Sequence, residues 1–256
     1  MLVMAVANQK GGVGKTTCCV NLSAELGRMG VKSLVIDADP QGNSSSALGI
    51  DRSDLERSVY DVIAGDLPAS EAVRETEWEN VFVIPATLDL AGAEVELAGA
   101  MSRESRLRRK MAGLTGYDIA LIDCPPSLGL LTVNALVASD GILVPVQCEY
   151  FALEGLGQLM RTMDLVKSFL REDLGLSGLV MTMYDGRTRL SREVVEEVRK
   201  QFGDLVLDTV IPRNVKLSEA PSFGRPIGYY DPASSGAEAF RELATEVTRK
   251  WLAPRP

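Results

Sequence analysis

The chain has 256 residues, 46% hydrophobic and 24% charged, enough to bury a substantial core as one large or two small domains. It carries 27 Lys and Arg against 35 Asp and Glu, a formal charge of −8, so any attraction to nucleic acid or anionic lipid has to come from a local patch. It contains no histidine, which excludes a Ser-His-Asp triad, a Cys-His dyad, an HExxH zinc site and any imidazole base; carboxylates, lysines, backbone dipoles or a bound metal are left to do chemistry.

In chain order, near-continuous apolar runs at 2–7, 33–37, 81–85, 119–123, 142–147, 179–183 and 206–211 predict strands buried on both faces, as in a parallel sheet. Helical patterns lie between or after them, for example at 16–29, 154–174, 192–202 and 237–251. This alternation predicts an α/β fold with a mostly parallel, twisted sheet and helices on both faces. No linker, repeat or composition break divides the chain, and one domain over 1–256 is expected. Cys18, Cys19, Cys124 and Cys148 are too few and too irregularly spaced for a disulfide framework or a CxxC knuckle, and read as reduced thiols. No leader pattern and no apolar run of about 18 residues is present, so a soluble, cytoplasmic protein is expected.

Ligands of such sheets bind beyond the carboxyl ends of the strands, so the residues following each strand matter most. The first strand runs into Asn8-Gln9-Lys10-Gly11-Gly12-Val13-Gly14-Lys15-Thr16-Thr17, the second into Asp37-Ala38-Asp39-Pro40-Gln41-Gly42-Asn43, and the fourth into Asp123-Cys124-Pro125-Pro126-Ser127. Gly14-Lys15-Thr16 closes a GxxxxGK[ST] phosphate loop, although Gln9 stands where the strict pattern has its first glycine. Gly11, Gly12 and Gly14 let backbone N–H groups form an anion nest, and the following helix offers its positive end. Lys15 is placed to reach β- and γ-phosphates and Thr16 to ligate Mg²⁺.

Lys10-Gly11-Gly12-Val13-Gly14-Lys15-Thr16-Thr17 resembles the deviant Walker A motif of the ParA/MinD superfamily of P-loop ATPases. The likeness continues through the Asp37–Asn43 and Asp123–Gly129 segments, Pro145-Val146-Gln147-Cys148-Glu149-Tyr150 and Ile211-Pro212-Arg213-Asn214-Val215-Lys216, where it is closest to the chromosomal ParA proteins, also called Soj. It spans nearly the whole chain. The resemblance implies ATP or ADP with Mg²⁺ as cofactors and a homodimer that sandwiches two ATP molecules, with Lys10 reaching the partner's phosphates. It implies that Asp39 orients or polarises the attacking water, and that Thr16, Asp37 and Asp123 serve the Mg²⁺ site. It also places the base near Met183, Pro212, Arg213 and Asn214. The turn-rich stretches Pro40–Asn43 and Pro125–Gly129 are the natural switch segments.

The resemblance further implies nonspecific double-stranded DNA and a ParB-type centromere-binding protein as partners, and hence nucleoid association. Arg187, Arg189, Arg213 and Lys216 are the candidate DNA-facing residues; a second basic group, Arg103, Arg106, Arg108, Arg109 and Lys110, sits on a predicted helix. Three other readings stay open. A MinD-like membrane-cycling ATPase would use the terminal stripe Phe240, Leu243, Val247 and Trp251 on lipid. A metabolic relative, such as a cobyrinate-amidating enzyme or dethiobiotin synthetase, would need a substrate pocket beyond the nucleotide. An iron–sulfur relative would need cysteines bridging a dimer.

Overall fold

All seven apolar runs form strands in the computed structural model, which describes residues 1–53, 55–150 and 152–252, apart from the side chain of Glu154. They are β1 (Leu2–Val6), β2 (Ser33–Asp37), β4 (Val81–Ile84), β5 (Ile119–Asp123), β6 (Gly141–Gln147), β7 (Gly175–Tyr184) and β8 (Val206–Pro212). The two-residue β3 (Arg74–Glu75) has no apolar run to announce it; it pairs antiparallel with β4 at the sheet edge. The eight strands lie in the order β3-β4-β2-β5-β1-β6-β7-β8, and every pairing except β3 with β4 is parallel.

Side chains alternate between two cores because successive strand residues point to opposite faces. Val3, Ala5, Leu34 and Ile36 enter one core, together with residues of helices Val59–Ile63, Leu90–Glu96, Leu130–Ala138, Ala152–Phe169 and Arg189–Phe202. Met4, Val6 and Val35 enter the other, under helices Lys15–Arg28 and Ser235–Val247. Both faces are therefore covered, which is why the strands read as unbroken apolar runs.

Helix ends shift by a few residues from the expected ones for local reasons. The 154–174 pattern ends at Phe169, where the Leu170 and Arg171 N–H groups both turn back to the Val166 carbonyl. The Arg171 side chain then locks the exit, donating to the Val137 carbonyl at 3.0 Å and to Asp140 at 3.1 Å. The 192–202 pattern starts earlier, at Arg189, because the Thr188 side chain caps the Ser191 N–H. At the C-terminus Phe240, Leu243 and Val247 are fully buried against the sheet. Trp251 packs over Gly178, where a β-carbon would come within 3.1 Å of the indole. The apolar stripe considered for lipid is thus consumed by the core. Among the described residues no helix is long and apolar enough to cross a membrane.

The parallel order brings the carboxyl ends of the strands to one edge. There the chain leaves β1 toward β2 on one side and β5 toward β6 on the other, which opens the crevice at the end of β1.

Candidate functional site

The loop after β1 wraps a short span of backbone into the mouth of this crevice. Gly12 and Gly14 sit at φ +74° and +95°, left-handed values that glycine adopts without cost, and Gly14 N-caps the helix Lys15–Arg28. Neighbouring strands hold the loop in shape. The Thr182 hydroxyl donates to the Val13 carbonyl at 2.8 Å, and the Asn8 amide donates to the Pro145 carbonyl at 2.7 Å. Lys15 is buried, and its Nζ folds back onto the Lys10 carbonyl at 3.3 Å. Burial lowers its pKa, partly opposed by the charges of Asp123 and Asp39. An ammonium held dry and so weakly satisfied is poised for an anionic ligand.

Two carboxylates meet beside the loop. Asp37 and Asp123 are register partners at the ends of β2 and β5, and both are fully buried. Burial raises both pKa values; the Asp123 charge adds to the rise at Asp37, and the Asp39 charge adds to it at Asp123. Asp37 is satisfied by protein donors: its Oδ2 accepts the Ser45 N–H at 2.8 Å and the Ser45 hydroxyl at 2.6 Å, and its Oδ1 accepts the Asp39 N–H at 3.3 Å. Asp123 Oδ2 accepts the Thr16 and Ser44 hydroxyls, each at 2.7 Å, while Oδ1 is buried with no partner.

That orphaned oxygen, beside the Thr16 hydroxyl in a site with excess negative charge, fits a hydrated divalent cation. Among the described residues no three or more acidic or thiol groups converge as an all-protein cage. Such a cation would depend on Thr16, Asp123, water and phosphate oxygens, as suits Mg²⁺. Asp37, also expected at the metal, anchors the turn that carries Asp39 and Ser45.

Two clefts join in front of the loop. The polar one, of about 330 Å³, is lined by Gly11, Gly12, Gly14, Lys15, Thr16 and Thr17 together with Asp39, Gln41, Asn43, Pro126 and Met183. The more apolar one, of about 240 Å³, is lined by Met183, Pro212, Arg213 and Asn214 together with Cys18, Leu217 and Phe240. They share Gly14, Thr17 and Met183 and so make one trough, charged at one end and apolar at the other. Met183 has φ +51°, a left-handed backbone unusual for a non-glycine residue. Two expected loop contributors lie outside the lining: Val13 is buried, and Lys10 turns its ammonium to Glu149 at 3.3 Å. All four cysteines are free and buried, with the Cys18 thiol pushed up to about 12 by burial, the opposite of a cluster-ligating thiolate.

The basic candidates divide. The loops after β7 and β8 are neighbours because Tyr184 and Pro212 are register partners. This juxtaposes Arg187 and Arg189 with Arg213 and Lys216, all exposed, on the same edge as the trough. Each is ion-paired within the chain: Arg187 with Asp185 at 2.8 Å, Arg189 with Glu193 at 2.6 Å, Arg213 with Glu149 at 3.3 Å and Lys216 with Glu219 at 2.9 Å. In the second group, Arg106 is half-buried and donates to the carbonyls of Ile63, Ala64 and Gly65, closing the end of helix Val59–Ile63. Sequence reasoning missed Asn8, Ser44, Ser45 and Thr182. The Ser44-Ser45-Ser46 run after Asn43 was the available signal for hydroxyls feeding the carboxylate pair.

A family profile described as "AAA domain" matches residues 1–176. The chain is 55% identical over 246 residues to the sporulation initiation inhibitor protein Soj of Bacillus subtilis, covering 96% of this chain and 97% of that protein. It is 51% identical over 248 residues to the chromosome partitioning protein ParA of Caulobacter vibrioides, covering 96% and 93%. The chain belongs to the ParA/Soj family of P-loop ATPases. A solved structure of cobyrinic acid a,c-diamide synthase from Mycobacterium smegmatis, with bound ADP and magnesium, superposes with a TM-score of 0.86 at 41% identity, covering 100% of this chain and 97% of that one. As a ParA/Soj ATPase the chain works on ATP with Mg²⁺, and its sheet order and phosphate loop are those of an α/β P-loop fold.

Proposed function

We propose that the chain, as one domain over 1–256, is an ATP-driven DNA-partitioning switch. Its ATP-bound homodimer holds nonspecific double-stranded DNA at the nucleoid in the cytoplasm, and hydrolysis stimulated by a ParB-type partner releases it. The observation that carries this reading is the trough with a mismatch at its mouth: Gly11, Gly12, Gly14 and Lys15 all line the cleft, but Lys10 does not and turns to Glu149.

In this reading the N–H groups of Gly11, Gly12 and Gly14 and the start of the 14-residue helix cradle the phosphates. Lys15 leaves the Lys10 carbonyl for a phosphate oxygen, and Met183, Pro212, Arg213 and Asn214 flank the base. Bound Mg²⁺ would neutralise charge on the β- and γ-phosphates. The Thr16 hydroxyl would ligate it and Asp123 would hold one of its waters, with Asp37 setting the turn behind them. Asp39 orients the attacking water. The Asp37–Ser45 and Asp123–Ser44 bonds tie the Pro40–Asn43 segment to the cation site, so a change at the γ-phosphate is transmitted to it.

Lys10 supplies a second cation to the partner's phosphates, in the manner of an arginine finger. Lys10→Ala is therefore expected to bind nucleotide normally and to remain monomeric with ATP. Light scattering checks this, and ATP-dependent dimerisation at wild-type strength would remove the role.

Arg187, Arg189, Arg213 and Lys216 contact DNA phosphates. Glu193 is exposed and Asp185 and Glu219 are half-buried, while all four basic residues are exposed, so the pairs are partly screened by salt and open to competition by a polyanion; the forked Arg187–Asp185 pair is the firmest of them. Dimerisation doubles the patch, which makes binding steep in charge number. Arg187→Glu should weaken binding to every DNA sequence and reduce the salt slope by about 2 per dimer, one phosphate contact per copy. Unchanged affinity and slope in a mobility assay would exclude this surface. A membrane-cycling reading gains nothing from the C-terminal stripe, which is packed into the core.

A further inference from the structure

Glu149 follows β6 and gathers three side-chain donors on its two oxygens. Oε1 accepts Gln147 Nε2 at 2.7 Å and Arg213 Nη2 at 3.3 Å; Oε2 accepts Lys10 Nζ at 3.3 Å. The Glu149 N–H is also bonded to the Gln147 carbonyl at 2.8 Å, which fixes the backbone while Gln147 and Arg213 hold the carboxylate. The other end of the contact is equally set. The Lys10 N–H is held by Asn8 Oδ1 at 3.0 Å, and Asn8 is itself bonded to the Pro145 carbonyl. The one loop lysine outside the trough is thus held from two sides.

We propose that Glu149 is a positioning residue that restrains Lys10 in the nucleotide-free chain, so that pairing of two ATP-bound copies must first break the Lys10–Glu149 ion pair. This rests on the role given to Lys10 above. The side chains are 35% and 43% exposed, so the pair is partly screened and biases Lys10 by a few-fold; it does not lock it. A weak restraint still matters because each dimer requires two releases, and the two biases multiply. A raised concentration threshold for assembly follows from a contact that is individually slight.

Glu149→Gln tests this in the full chain, because glutamine keeps the length and one acceptor oxygen for Gln147 and Arg213 while losing the charge that holds the ammonium. In the nucleotide-free protein, acetylation of Lys10 relative to Lys32, read by mass spectrometry, should rise about threefold. With a non-hydrolysable ATP analogue, half-maximal dimerisation should occur at about tenfold lower concentration, the product of two threefold releases. Affinity for ADP should stay within about twofold, since Lys10 lines neither cleft and the glutamine oxygen still accepts from Arg213, which flanks the base. Unchanged labelling, an unchanged threshold, or loss of dimerisation would each overturn the restraint. An equal gain for ADP would also overturn it, by showing that lost charge near the phosphates, and not Lys10, did the work. A wild-type chain that stays monomeric with the analogue would instead overturn the dimer reading itself, so the two failures are told apart by the wild-type arm.

Discussion

Asp39→Ala is expected to lower ATP turnover at least about a hundredfold while leaving ATP affinity within a few-fold. The chain has no histidine, so a water bound at the γ-phosphate has to be oriented by a carboxylate, an amide, a hydroxyl, a backbone group or a cation. Asp39 is the carboxylate in the right place: it lines the phosphate cleft opposite the glycine loop and is largely buried. It is also held still. Its Oδ1 accepts the Gln41 N–H at 2.9 Å, and its own N–H is bound to Asp37. A group fixed this way loses little freedom on orienting water, which is where positioning contributes to rate. Removing the side chain leaves Lys15, Thr16 and the loop untouched, so binding should persist. Phosphate release at the wild-type rate, with ATP binding intact, would refute the assignment.

Asp123→Asn is expected to abolish Mg²⁺-dependent turnover and yet raise the thermal midpoint of the nucleotide-free chain at pH 8 by about 2–4 °C, the equivalent of about 1 kcal/mol in a chain of this size. The sign follows from proton binding. Burial and neighbouring carboxylates hold the Asp37 and Asp123 pKa values above the ordinary range, so the native state keeps protons that the unfolded chain gives up. Stability from these groups therefore falls as pH rises through the ordinary carboxylate range, and the full penalty is present above their folded pKa values. Asparagine has no charge to bury and still offers an oxygen to the Thr16 and Ser44 hydroxyls. Its advantage should be greatest at pH 8 and vanish only below about pH 3, where aspartate is protonated in both states. Scanning calorimetry across that range decides the matter; a variant less stable than the wild type at pH 8 would show that the hydroxyl bonds to a charged Asp123 outweigh its burial.

Much of this site can be read along the chain because its parts are local. A strand ending in glycines and Lys15-Thr16, or an apolar run ending in Asp123, declares itself within a dozen residues. The misplacements have local causes too. β3 is too short and too polar to show a period, and helix Ala152–Phe169 stops where Arg171 finds partners about 30 residues away. Arg106 read as part of a basic run, but its fork is spent on helix-end carbonyls that only the packed fold presents to it.

By itself the amino-acid sequence determined the α/β class, the phosphate loop and the restriction to carboxylate, lysine and metal-assisted chemistry. These follow from short-range periodicity, glycine's left-handed conformations and the absence of one residue type. Only the tertiary structure decided that Asp37 faces Ser45 while Asp123 keeps a bare oxygen, that the β7 and β8 loops share one basic edge, and that Lys10 rests on Glu149. Those relations join residues as far apart as 139 positions. They depend on strand order and register, which many distant apolar contacts set together and no local pattern encodes.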